Sequence, residues 1–323
     1  MTMNIRLLYV LALFVCCVAL TCVASRFAQP RRDVIYIWPL WGIGNRLRTI
    51  RVCYALAQHL GKDVILVEHD DEGFQGSMSK LFGHPFGSVS KFHFEQVICR
   101  TKHIPIFEFN EECALNIDVA QLSQAGSFCI KACELKLKDA WQLMNDRSVY
   151  SRLHLHTSAD TKELLNTVLR TNAVGVHVRQ GNVNDWERGY FFNDEWKGIR
   201  ERDPTSAPLM CCFKDESKNL SACTSNVTHL ETYVNKMKEF PDTTTFFVCS
   251  DRPGCLLYLH QMFPNRILSN PPFIETRTID TTVGMKDFVC LSHCTKILCS
   301  TISTFCNEAS RVRDIPVILC GAE

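Results

Sequence analysis

The run Ala173-Val174-Gly175-Val176-His177-Val178 constrains the fold more than any other stretch of the chain. Small and β-branched residues follow one another with little polar alternation, the signature of a strand buried on both faces of a parallel sheet. Open α/β sheets bind ligands just outside the carboxyl ends of such strands. Here that end delivers Arg179, Gln180, Gly181 and Asn182. A guanidinium is always charged and offers a planar fork of donors matched to two phosphate oxygens, so Arg179 is a candidate for holding a diphosphate. For a lone strand-end arginine the plainer alternative is a surface ion pair.

The same grammar recurs on either side. Residues 33–38 read as a strand, 39–45 as a turn holding Gly42 and Gly44, and 46–60 as a helix of regular apolar period that ends at Gly61 as C-cap. With a strand over 64–67 they form a β-loop-α-β unit whose glycine-containing first loop lets backbone approach a ligand. The loop continues Asn45-Arg46-Leu47-Arg48, which meets the dinucleotide fingerprint only at its first two glycines, so a nicotinamide or flavin cofactor is rejected. The region 69–155 is mixed, with a helix expected over 130–144. An amphipathic helix over 161–170 leads into the 173–178 strand and puts the domain boundary near residue 160. Beyond it, helices over 228–239, 256–263, 285–292 and 307–313 alternate with strands over 243–249, 267–268, 296–299 and 317–319, and residues 300–305 form a polar loop. The expected fold class is α/β, with two Rossmann-like domains, 27–160 and 161–323, facing a cleft.

A length of 323 residues, 46% of them hydrophobic, fits a folded chain of about two domains. The net charge of +1 lacks the basic excess of a nucleic-acid binder, which excludes that partner class. Residues 7–25 form an uncharged apolar run flanked by Arg6 and Arg26, and this is just long enough to span a bilayer. Residues 1–26 are read as a short cytoplasmic tail and uncleaved signal anchor; a secreted form follows if the chain is instead cleaved near Ala24. Of 18 cysteines, 15 follow this run, a density that suits an oxidising lumen. Asn219-Leu220-Ser221 and Asn226-Val227-Thr228 are acceptable glycosylation sequons. Cys129 with Cys133, and Cys290 with Cys294, sit four apart in expected helices without histidines at metal spacing, so they read as disulfides or buried thiols rather than zinc ligands.

Five segments, taken together and in order, resemble a known set: Gly42-Ile43-Gly44-Asn45-Arg46-Leu47, His177-Val178-Arg179-Gln180-Gly181-Asn182, Ser250-Asp251-Arg252-Pro253, Asp287-Phe288-Val289-Cys290-Leu291-Ser292 and Ser303-Thr304-Phe305-Cys306. The chain is similar to the fucosyltransferases related to the α1,6-fucosyltransferases, the rhizobial nodulation fucosyltransferase and the protein O-fucosyltransferases. The resemblance covers nearly all of the chain after the apolar run.

It implies a GT-B fold, GDP-fucose as donor substrate bound in the C-terminal half, inversion at the sugar carbon, and no metal or other cofactor. The chemistry is consistent, because a departing diphosphate needs fixed cations and backbone donors where no metal serves it. By resemblance Arg179 holds the β-phosphate, helped by Ser303, Thr304, Phe305 and Cys306 at a helix N-terminus, while His177 and Asp287 contact the nucleoside. A core histidine and a helix-capping aspartate are the plainer readings of those last two. Glu187, eight residues after Arg179, is the candidate general base, with Asp185 as understudy. Gly42, Gly44, Asn45 and Arg46 would face the cleft from the first domain, although Asn45 and Arg46 could equally cap the following helix. Gln180, Asn182 and Cys306 depart from the family pattern of Arg, Asp and Ser.

The expected protein is a type II membrane glycosyltransferase of the Golgi or endoplasmic reticulum, its catalytic part in the lumen and its acceptor a glycan or glycoprotein hydroxyl. The rival readings are a GT-B transferase using another nucleotide sugar, and a catalytically silent lumenal protein that binds sugar. Acceptor choice falls to the loops 69–160 and 184–230, which carry no interpretable motif.

Overall fold

The computed structural model describes residues 32–320 apart from 71–77, 79–81, 84–85, 109–113, 152–153, 156–158, 180–189, 193–194, 198–229, 251–252, 271–280 and 301–302. The apolar run 7–25 and both sequons lie outside the described residues. Among the described residues no helix is long and apolar enough to cross a membrane.

Two five-stranded parallel sheets carry the fold. The first contains β1 (Val34–Pro39), β2 (Asp63–Glu68), β3 (Gly87–Ser90), β4 (Ile106–Glu108) and, after β5 (Ala114–Asp118), β6 (Phe128–Ala132), in the order β3-β2-β1-β6-β4. The helix α1 (Ile43–Leu60) links β1 to β2 and ends at Gly61, whose φ of 65° is the left-handed conformation expected of a C-cap. β7 (Glu134–Lys138) pairs in parallel with β5 beside this sheet and is followed by the short helix α2 (Trp141–Asn145). The second sheet follows α3 (Ala159–Arg170) and consists of β8 (Val174–Val178), β9 (Phe246–Ser250), β10 (Ile267–Leu268), β11 (Ile297–Ser300) and β12 (Val317–Cys320). Its order is β10-β9-β8-β11-β12, with α4 (Leu230–Lys238), α5 (Pro253–Met262), α6 (Thr281–Leu291) and α7 (Thr304–Arg313) between the strands.

Strand alternation decides which core each side chain joins. On β1, Ile35 and Ile37 enter the large core while Tyr36 and Trp38 enter a smaller one on the other face. On β8, Val174, Val176 and Val178 pack on one face. The opposite face bears Gly175 and His177. A Cβ on Gly175 would stand 2.6 Å from the Leu291 side chain, so its absence lets the end of α6 close onto the strand.

Of the helix expected over 130–144 only the end, residues 141–144 within α2, is helical. Phe128, Cys129 and Ile130 form a strand buried throughout, and in β7 buried Leu135 and Leu137 alternate with outward Glu134, Lys136 and Lys138, a period of two that helical counting overlooked. Cys129 and Cys133 are therefore not on a helix. Cys53, Cys129, Cys290 and Cys294 are buried thiols; burial pushes the pKa of Cys290 up to about 12, and the nearby Asp287 charge adds to this, which leaves an unreactive group.

One core runs continuously from the first sheet to the second through α1, α6 and α7, joining Ile35, Leu47 and Ile50 to Phe288, Cys306 and Ala309. At this junction Arg51 of α1 grips Glu308 of α7 in a two-pronged pair of 2.9 and 3.1 Å, both residues only 2% exposed. Tyr150 also donates to Glu308. Burial works against the Arg51 charge, but the hydrogen bonds and charge of Glu308 outweigh it and hold the guanidinium more firmly protonated than usual.

Candidate functional site

The order of the second sheet reverses at β8, with β9 on one side and β11 on the other. In open parallel sheets the crevice at such a switch point is where ligands bind. The carboxyl ends of β8 and β11 bring together His177, Arg179, Ser300 and Ser303, which are far apart in sequence.

His177 is 7% exposed. Its Nδ1 lies 3.0 Å from Ser303 Oγ, and its ring stacks on Phe305 with centroids 4.9 Å apart and planes 24° from parallel. Tyr233 donates to the His177 carbonyl at 3.0 Å, fixing the backbone from α4. Phe305 meets Phe288 of α6 edge-on at 5.6 Å. Ser303 is the N-cap of α7, yet its hydroxyl does not cap the helix, because it is turned to His177. The first amides of α7 therefore point from the helix start with no hydroxyl cap from Ser303, an arrangement that favours an anion. Arg179 is exposed directly beyond β8, and none of the ion pairs among the described residues engages it.

Ser300, at the end of β11, is 1% exposed and its hydroxyl has no hydrogen-bond partner among the described residues. An orphan hydroxyl costs about 1–3 kcal/mol in a folded chain. Its position at the carboxyl end of β11 makes it a further candidate for ligand contact, one that the sequence marked only as the first polar residue after an apolar strand.

Asp287 lies well inside α6 rather than at its start, so the capping reading is excluded. It accepts a hydrogen bond from Asn270 at 3.0 Å. Burial raises its pKa to about 7, against the opposing effects of Asn270 and Lys286. A carboxyl poised there can offer either an acceptor or a donor to a ligand near neutral pH. Asn270 gave no signal in the sequence.

From the first sheet, α1 inserts its N-terminus against this site. A Cβ on Gly44 would stand 2.5 Å from the backbone N of Phe305, so only glycine allows the approach. A Cβ on Gly42 would meet nothing within 4 Å, which leaves open space before the loop. Arg46 does not reach into that space from the helix surface: it is fully buried and donates to the carbonyls of Trp41 at 2.7 Å and His69 at 3.5 Å. Trp41 has a φ of 66°, an uncommon conformation for a bulky residue, and Arg46 helps to hold it. Asn45 does not cap α1 either; the cap is Gly42, and the Asn45 side chain accepts from Arg48 at 3.3 Å. Thr304 stands at the first position of α7 beside Phe305.

Cys306 is fully buried in a disulfide with Cys299, so its side chain faces the core and ties the first turn of α7 to β11. Any contact it makes with a ligand would be through its backbone. Glu187, Asp185, Gln180 and Asn182 lie outside the described residues, as do Asp251 and Arg252. Among the described residues no cluster of three His, Cys, Asp or Glu side chains is placed to hold a metal ion.

The fold and this crevice define an α/β protein of two parallel sheets with an anion-suited switch point on the second. Solved structures of similar fold include fucosyltransferase NodZ from Bradyrhizobium, 12% identical, with a TM-score of 0.51 over 89% of this chain and 94% of that one. POFUT1 in complex with GDP-fucose is 13% identical, with a TM-score of 0.50 over 91% of this chain and 99% of that one. No family model matches the chain, and no curated protein matches it in sequence. The chain thus shares the fold of these fucosyltransferases.

Proposed function

We propose that the protein is a glycosyltransferase that moves fucose from GDP-fucose to a glycan or glycoprotein hydroxyl. The observation that carries this reading is the meeting of His177, Ser303 and Phe305 beside exposed Arg179 at the switch point of the second sheet. The shared fold supports it, since one of the similar structures holds GDP-fucose.

In this reading the C-terminal part, 161–323, holds the donor and the part before it, 27–160, faces the acceptor. Arg179 and the α7 amides take up the charge that grows on the diphosphate as the sugar leaves, a stabilisation that in a water-poor crevice is far larger than in bulk solvent. His177 and Asp287 position the nucleoside. Glu187 removes the proton of the acceptor hydroxyl, which attacks from the face opposite the diphosphate and inverts the sugar carbon, and Asp185 is the reserve base. No metal takes part. Residues 1–26 anchor the chain in a Golgi or endoplasmic reticulum membrane with the catalytic part in the lumen.

The test is release of the nucleoside diphosphate by the purified full chain against a panel of nucleotide sugars. Release is expected with GDP-fucose, unchanged by a chelator. Turnover confined to a UDP-sugar, or none with any donor, would overturn the reading.

A further inference from the structure

Behind the donor crevice, α1, β7, α2 and α7 enclose a groove of about 480 Å³, within the usual range of about 300–1,000 Å³ for ligand sites. It begins at Thr304, the neighbour of Phe305, and at Arg48, which is joined to Asn45 of the first loop. It continues to Asp314 past the end of α7, about 15 Å further on at the helical rise per residue. One end thus lies close to the donor site and the other opens away from it.

The lining is polar but electrically balanced. Four guanidinium groups face three carboxylates: Arg48 pairs with Glu134 at 3.3 Å, Arg147 with Asp314 at 2.7 Å, and Arg51 and Arg311 both with Glu308. A phosphate or sulfate site needs a surplus of unopposed cations, and this groove has almost none. Arg51 and Glu308 are buried and spend their hydrogen bonds within the protein, but the more exposed Arg48–Glu134 and Arg147–Asp314 pairs set donors and acceptors side by side, which suits hydroxyls, because each hydroxyl both donates and accepts. Trp141 stands on the wall 71% exposed, an aromatic face that α2 turns to solvent. Such a face can cover the C–H side of a sugar ring while the polar wall serves its hydroxyls.

We infer that this groove binds an uncharged oligosaccharide, the chain that carries the acceptor hydroxyl towards the donor. Its role as acceptor rests on the proposed fucosyl transfer; the binding does not.

The experiment uses the full chain, with an array of neutral, sialylated and sulfated oligosaccharides, and GDP-fucose binding measured separately by calorimetry. The parent should bind neutral oligosaccharides. Trp141→Ala should weaken that binding at least tenfold with GDP-fucose affinity and melting temperature unchanged, and Asn307→Ala, on the same groove, should weaken it by a smaller factor. Binding only to charged glycans, binding to none, or binding indifferent to both substitutions would overturn the inference. Trp141-dependent glycan binding in a chain that ignores GDP-fucose would keep the groove and overturn the transfer reading. GDP-fucose binding with glycan binding indifferent to Trp141 would do the reverse.

Discussion

The two sheets reverse their strand order at the same place, beside the first strand of each, yet only one of those switch points is fitted for a ligand. In the second sheet, the end of β8 presents exposed Arg179 and the His177–Ser303–Phe305 cluster at the start of α7. In the first, the arginine that follows the loop after β1 turns inward: Arg46 is buried and bound to the Trp41 and His69 carbonyls. The same arginine chemistry thus serves opposite ends, holding backbone in one half and remaining available to a ligand in the other. Fold alone therefore does not place a binding site; the direction of a few side chains does. The first sheet contributes instead by driving the glycine-bearing start of α1 against Phe305, so that each half shapes the crevice of the other.

Four substitutions probe this contrast. Glu308→Gln removes the carboxylate that α7 lends to Arg51 and leaves a buried charge, which should destabilise the fold by about 3–5 kcal/mol, read by denaturant unfolding. Preserved stability would mean that the two halves are held by the shared core alone. Arg179→Ala should leave unfolding unchanged but lower turnover by about 100- to 1,000-fold, in line with the loss of one group that stabilises transition-state charge. Activity within a few-fold of the parent would remove the functional difference between the two switch points. Gly44→Ala acts where the halves touch: its Cβ must displace the Phe305 backbone, so we expect about 1–3 kcal/mol of lost stability together with weaker donor binding.

The smallest effect concerns pH. Asp287 keeps its proton up to about 7 in the folded chain, whereas an unfolded aspartate loses it near ~3.9. Between those values the native state binds the additional proton, so this residue makes stability fall as pH rises across the window, with no further change above it. Asp287→Asn should flatten that slope in unfolding midpoints measured from pH 4 to 8, and an identical slope in both proteins would show that the carboxyl ionises normally.

Much of this was readable along the chain. The uninterrupted apolar run of β8 announced a buried parallel strand, Gly61 marked the end of α1, and the residues after β8 and β11 stood out as polar ends of apolar strands. The reading failed at 130–144, where β6 and β7 follow one another with only Cys133 between them. Two strands of different burial, one enclosed on both faces and one on a single face, blend there into a pattern that also satisfies a helical period. Asn270 went unnoticed because its importance lies in a partner contributed by another element, and Ser300 was marked only as the start of a polar loop.

The sequence by itself determined much of the local conformation and chemical type: the strands of the second sheet, where α1 stops, and that His177 and Arg179 sit at a strand end and Ser303 just beyond another. Those follow from short-range sterics and from the periodicity with which apolar residues must meet a core. Only the tertiary structure decided that Arg46 turns inward, that Cys306 is tied to Cys299, and that a charge-balanced groove with an exposed tryptophan opens beside the crevice. These depend on residues as distant in the chain as Arg51 and Glu308 coming within hydrogen-bonding reach. No local rule specifies such distances, because they are set by how the two sheets pack against each other.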